Sequence, residues 1–330
     1  MTRPSSVPPP VTAVLDASSR WLPARLGEVE ELLRAAVADH GETLGEDAAA
    51  TLEAGGKRLR PMLVLLCAGP QGGEEVTRAG AAIELIHMAT LVHDDVLDRA
   101  ALRRGRPTVF ADGGRGAATA TGDLLFSRAF AELTWTRSEE AVRALSAASS
   151  ALARGELMQR ADAWSGAVTR ERYLERCRLK TASLFEATCR LGALFGDRPE
   201  LAPALGSFGA RLGVAFQLLD DVLDVSGPPE RTGKPRGTDL LDGTVTLPLI
   251  LARRRDPELR EMDLRSVVGQ PAQVGALCDR IAATGSLGEA RSEALRYVAQ
   301  AKAVLSDLEL TEQRREALDL VADGVVERYA

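Results

Sequence analysis

"HMATLVHDDVLDRAALRRGRPT", residues 87–108, sets three aspartates, Asp94, Asp95 and Asp98, directly after an apolar run and follows them with the adjacent arginines Arg103 and Arg104. On a helix, residues four apart share nearly one face, so the carboxylates of Asp94 and Asp98 lie side by side while Asp95 points about 100° away. Two such charges about 6 Å apart repel by roughly 3 kcal/mol at an effective dielectric of 20. Water tolerates that cost at an ordinary helix end, whereas a helix end facing a cavity calls for a cation. Hard oxygen donors that leave most coordination positions open suit magnesium carrying substrate phosphates.

The same pattern returns 126 residues later. "FQLLDDVLDVSG", residues 216–227, places Asp220, Asp221 and Asp224 at identical spacing, again after an apolar run and before a glycine loop that carries Lys234. Solvated charge explains one such cluster and explains two poorly. Facing each other across a helical bundle, the pair would form a multi-metal clamp.

Working outward, the 330 residues are 45% hydrophobic and 27% charged but only 4% aromatic, which is the composition of a helical protein. Apolar stripes at helical spacing recur, as in "LGEVEELLRAAVADH" with Leu26, Val29, Leu32, Leu33 and Val37 on one face. No alternating strand pattern of useful length is present, so the expected class is all-α. Residues 1–20, with Pro4, Pro8, Pro9 and Pro10, read as a disordered leader, and 21–330 as one helical domain. A net charge of −6 argues against a nucleic-acid partner and confines any anion site to a local concentration of basic residues. Cys67, Cys177, Cys189 and Cys278 lack zinc or dithiol spacing and read as buried thiols of a reducing compartment. The protein is expected in the cytoplasm, with at most peripheral membrane contact.

Cations accompany the acids. "GGKRLRP" supplies Lys57, Arg58 and Arg60 at a loop-to-helix junction, where backbone amides add to anion binding. His87 lies two turns before Asp94 on the same face. Arg103 and Arg104 offer forked donors to phosphate oxygens. "LKTASLF" contributes Lys180 and Thr181, and Gln217 sits one turn before Asp221.

In order along the chain, "GGKRLRP", "ELIHMATLVHDDVLD", "RRGRPT", "GELMQ", "LKTASLF", "FQLLDDVLD" and "TGKPRGTDLLDGTVTLP" resemble the trans-isoprenyl diphosphate synthases, the polyprenyl synthetase family. Each motif alone is weak, and the ordered set is specific. The resemblance implies an isoprenoid synthase helical bundle with a deep central apolar cavity, usually a homodimer. It implies that Asp94 and Asp98 ligate two magnesium ions and Asp220 a third, with Asp221 and Asp224 supporting. Arg103, Lys180 and Lys234 would assist in holding an allylic prenyl diphosphate, while Lys57, Arg60, His87 and Arg104 hold isopentenyl diphosphate without metal. Ionisation, attack by the isopentenyl double bond and loss of a proton would follow, with Thr181 and Gln217 turning dipolar oxygens toward the allylic cation. One departure stands out. Thr244 occupies a position where the family often has lysine, which removes a cation near the allylic diphosphate but leaves the metal ligands intact.

Product length is read from the floor below the first cluster. A growing tail should run toward the N-terminal end of the Asp94 helix, and Thr90, about 6 Å down, and Ala89 beside it are small. In the family, a large aromatic here accompanies short products, so hexaprenyl or longer is expected. Ile86, two turns down, would set a lower limit near geranylgeranyl if it closed the channel. A class I terpene cyclase would share the fold and the first DDxxD, but would need neither the second DDxxD nor a second diphosphate site. A noncatalytic partner subunit would be expected to have lost metal-binding aspartates, and all six are present.

Overall fold

The computed structural model describes residues 14, 18, 21–38, 40–56, 58–103, 105–227, 236–267 and 271–327. About four-fifths of these are helical, as the apolar periodicity predicts. In chain order the helices are α1 (Trp21–Val37), α2 (Glu42–Glu53), α3 (Leu59–Ala68), α4 (Glu74–Asp98), α5 (Val109–Trp135), α6 (Glu139–Ala161), α7 (Arg170–Cys177), α8 (Ser183–Leu194), α9 (Ala202–Ser226), α10 (Thr238–Leu241), α11 (Leu247–Arg255), α12 (Pro257–Glu261), α13 (Pro271–Ala283), α14 (Ser286–Ser306) and α15 (Glu312–Glu327). A π-turn, Arg178–Ala182, joins α7 to α8. Among the described residues the only strands are β1 (Leu102–Arg103) and β2 (Arg106–Pro107), a two-residue antiparallel pair folded around Gly105. Most of the leader lies outside the described residues.

The chain divides into two compact units, one made of Met1–Ala147, Phe185–Gly209 and Val304–Gly324, the other of Ala148–Leu184, Ala210–Ala303 and Val325–Ala330. In the first unit, α3 is apolar on every side and is buried from Pro61 to Ala68, as a helix without a polar face must be. Its C-terminal carbonyls have no partners within the helix. They are met instead by Arg314 of α15, whose Nε donates to the Leu66 carbonyl at 3.0 Å and whose Nη2 donates to that of Cys67, while the Asp197 amide reaches the Ala68 carbonyl at 3.2 Å. Arg314 also pairs with Asp197 at 2.8 Å.

Helix α4 packs along α5. At Gly122 of α5, a Cβ would stand 2.2 Å from the ring of His93 on α4, so only glycine fits there without displacing the ring. In the second unit, Gly155 of α6 has the same role: a Cβ would stand 2.5 Å from the backbone nitrogen of Lys180 in the π-turn. Among the described residues, no helix is long and apolar enough to cross a membrane.

Candidate active site

The first acidic cluster closes α4 in the first unit. Asp94 is half-buried, Asp98 is exposed, and Asp95 is buried. Arg103 of β1 forks onto Asp95 Oδ1 through Nε at 2.8 Å and Nη2 at 2.7 Å. Burial raises the Asp95 carboxyl above its usual range, Arg103 opposes that rise, and Asp98 adds to it. The acids therefore divide by role: Asp95 anchors the hairpin to the helix, while Asp94 and Asp98 share the more open face. His87 and Thr90 are half-buried like Asp94, and the Thr90 hydroxyl donates to the His87 carbonyl at 2.7 Å. Ile86 and Ala89 are fully buried.

Three carboxylates at a helix C-terminus add negative charge where unsatisfied carbonyls already concentrate it, and the last turn of α4 contains no basic residue. That donor set, all hard oxygen, fits a divalent cation. Among the described residues, no three acidic, histidine or cysteine side chains form a protein cage for a metal. An ion held by one or two carboxylates keeps its other positions for water and phosphate oxygens.

Arg60, near the start of α3, lies over the Phe185 ring at 4.7 Å. Just before it, Arg58 adopts a left-handed backbone with φ 47° and is held by Glu30, by Glu84 at 3.0 Å and by the Leu52 carbonyl at 3.3 Å. This fixes the turn from which Arg60 projects. Lys57, Arg104 and Lys234 lie outside the described residues.

The second cluster belongs to the second unit and is more enclosed. Asp220 is half-buried, while Asp221 and Asp224 are buried. Both oxygens of Asp221 accept hydrogen bonds, Oδ2 from the Tyr173 hydroxyl at 2.6 Å and Oδ1 from Gln217 Nε2 at 2.7 Å. Gln217 Oε1 in turn accepts from the Thr181 hydroxyl at 2.6 Å. Burial pushes the Asp221 carboxyl up to about 7, Asp239 pushes the same way, and the Tyr173 and Gln217 bonds oppose them. Asp224 accepts from the Asp239 amide at 3.2 Å, and its carbonyl accepts from the Gly237 amide at 2.8 Å, so it ties α9 to the start of α10. Lys180 is paired with Glu156 of α6. Burial alone would raise the Glu156 carboxyl, yet Lys180 and Arg160 together hold it below its usual range.

Within each unit the structure thus groups the residues that sequence spacing singled out: His87, Thr90, Asp94 and Asp98 on α4, and Lys180, Thr181, Gln217 and Asp220 to Asp224 around α9. Sequence reasoning missed Tyr173 and Glu156, the partners of Asp221 and Lys180. The motif "GELMQ" held the signal for Glu156, since it sets an acid beside a glycine, but no spacing rule links it to Lys180.

Comparison with known proteins gives the family. Residues 42–282 match the family model described as polyprenyl synthetase. The chain is 38% identical over 309 residues to heptaprenyl diphosphate synthase component 2 of Geobacillus stearothermophilus, covering 93% of this chain and 97% of that protein. It is 36% identical over 309 residues to a short chain isoprenyl diphosphate synthase of Methanothermobacter thermautotrophicus, covering 91% and 95%. The crystal structure of a polyprenyl synthase from Caulobacter crescentus, complexed with calcium and isoprenyl diphosphate, superposes with a TM-score of 0.88 at 33% identity, covering 99% of this chain and all of that one. Two DDVLD clusters, each closing a helix, the ordered motifs around them and these matches place the chain in the polyprenyl synthetase family.

Proposed function

We propose that this member of the family of prenyl-transferring enzymes elongates an allylic prenyl diphosphate with isopentenyl diphosphate to a product of six or more isoprene units. The observation that carries the reading is the face of α4 on which Asp98 is exposed and Asp94, Thr90 and His87 are half-buried, so that the two carboxylates end a row whose next position down, Thr90, is small. Asp94, Asp98 and Asp220 are the residues that would hold divalent ions, three magnesium ions in all, with Asp221 and Asp224 supporting from behind. Bound there, such ions would supply Lewis-acid stabilisation to the departing pyrophosphate.

The chain's own groups do the rest. Arg103, anchored on Asp95, and Lys180, steadied by Glu156, present positive charge to the allylic diphosphate, with Lys234 as a further contact. Lys57, Arg60, His87 and Arg104 bind isopentenyl diphosphate. Thr181 and Gln217 direct oxygen dipoles at the developing allylic charge. The working form is a cytoplasmic homodimer.

The test is to supply purified protein and magnesium with labelled isopentenyl diphosphate and allylic primers from dimethylallyl to geranylgeranyl, then size the dephosphorylated products. Chains of six or more units are expected. Products that stop at geranylgeranyl would assign the floor to Ile86 and overturn the length, while failure with every primer would overturn elongation itself. Thr90→Phe should shorten the product by several units, because its ring would stand one turn below Asp94 on the same face. Unchanged product length would remove Thr90 from the floor. His87→Ala should raise the isopentenyl diphosphate KM about tenfold, the loss of one charge-assisted hydrogen bond, and leave the allylic KM unchanged. Equal changes in both constants would reassign His87.

A further inference from the structure

We infer that Tyr173 is a positioning residue for the second acidic cluster: its hydroxyl and the π-turn that follows it lock Asp221, Gln217 and Thr181 into one fixed chain of hydrogen bonds. The inference rests on the prenyl-transfer reading for its catalytic consequence, but its structural half stands on the free protein.

The geometry begins with helical phase. Tyr173 and Thr181 are eight residues apart, and in a continuous α-helix they would point about 80° away from each other. The π-turn Arg178–Ala182 accommodates one extra residue, so the two behave as a pair seven apart, within about 20°. Both then reach the same strip of α9, where Gln217 and Asp221 are stacked one turn apart. Tyr173 meets Asp221 at 2.6 Å and Thr181 meets Gln217 at 2.6 Å, while Gln217 Nε2 joins the two contacts at 2.7 Å.

Each donor and acceptor in this chain has its direction fixed. With Asp221 ionised its oxygens only accept, so Gln217 turns its amide nitrogen toward Asp221 and its oxygen toward Thr181, and the Thr181 hydroxyl donates to that oxygen. The Thr181 oxygen therefore keeps its lone pairs directed away from Gln217. With both oxygens of Asp221 engaged and the residue buried, Asp221 acts behind Asp220 as an outer partner. The Tyr173 ring is itself held: Arg176 lies 5.2 Å from its centroid and donates to the Val245 carbonyl at 2.7 Å. On the opposite side of the π-turn, Gly155 leaves room for the Lys180 backbone. No other described hydroxyl donates to Asp221 in this structure.

The test uses the full-length protein with Tyr173→Phe, which removes one oxygen and keeps the ring. In the free protein, the side-chain amide protons of Gln217, followed by NMR, should be slow to exchange in wild type and should exchange at least tenfold faster in the variant. Unchanged Gln217 exchange would overturn the inference, whatever the enzyme does. In the elongation assay, the magnesium concentration for half-maximal rate should rise about 10- to 100-fold, the usual consequence of losing an outer partner of a metal site, with the isopentenyl diphosphate KM unchanged. A uniform loss of rate with wild-type magnesium response would mean that Tyr173 only stabilises the fold, and would also overturn it. Gln217→Met cuts the chain without touching Tyr173 and should reproduce the magnesium shift, even if the tyrosine variant accumulates poorly. Where both variants fold, the double variant should be no worse than the worse single one, since the residues act as one unit. Wild-type protein that elongates nothing would defeat the prenyl-transfer reading, and the Gln217 exchange measurement would still decide this one.

Discussion

Asp94→Ala is expected to lower the rate of prenyl transfer by about 10³-fold while leaving the helical fold in place. The rate loss follows from removing one of the carboxylates that would hold the ions neutralising the leaving pyrophosphate, where electrostatic stabilisation of several kcal/mol is at stake. The stability side follows from position. Asp94 is half-buried in the last turn of α4, away from the buried core of that helix. Helix α4 does not depend on it, because the helix is anchored by its buried stretch from Ala79 to Ile86. Initial rates at saturating magnesium, set beside thermal melts in chelator, measure both effects. Near-normal turnover would remove Asp94 from the metal site. Asp95→Asn provides the contrast: that residue is buried under Arg103, and its loss should weaken the hairpin joint and the melting temperature as well as the rate.

Arg314→Ala should cost about 2–4 kcal/mol of unfolding free energy. Its guanidinium satisfies the carbonyls of Leu66 and Cys67 at the buried end of α3, and each carbonyl left without a partner costs about 1–3 kcal/mol. The ion pair with Asp197 adds little, because Asp197 is 40% exposed and the pair is screened on that side. Arg314→Lys should recover only part of the loss, since an ammonium cannot span two carbonyls and a carboxylate with one planar fork. Urea unfolding of the variants gives the answer, and a change below about 0.5 kcal/mol for the alanine variant, the range of ordinary surface substitutions, would show that water replaces the side chain.

Much of this was legible in residue spacing. Apolar periodicity announced the helical class, and the four-residue spacing of Asp94 and Asp98 put them on one face because a regular helix allows nothing else. Loops at "AGPQGGEE" and "GDRPELAP" fell where glycine and proline interrupt the pattern. The two-residue strands at "RRGRPT" were too short to show alternation. What periodicity could not show was any relation set by a partner far away in sequence. Tyr173 lies seven residues before Lys180, so a plain helical projection aligns it with the lysine and away from Thr181. The π-turn changes that phase, and its formation depends on packing against Gly155 and on bonds to α9. Asp221 reads from its spacing as a supporting acid, and spacing gives no sign of the two donors, Tyr173 and Gln217, that meet its oxygens. Arg314 carried no local signal at all.

The clasp made by Arg314 also orders events in time. Its bond to the Cys67 carbonyl spans 247 residues, and the unit it closes is assembled from three separate stretches of chain. At a synthesis rate of about 5–20 residues per second, the end of α3 leaves the ribosome roughly ten seconds to a minute before the arginine that completes it. During that interval a greasy helix waits with its terminal carbonyls uncovered. The first unit, although it begins at the N-terminal side, is therefore among the last parts of the molecule to be finished, and a nascent chain paused before α15 would be the form most in need of a chaperone.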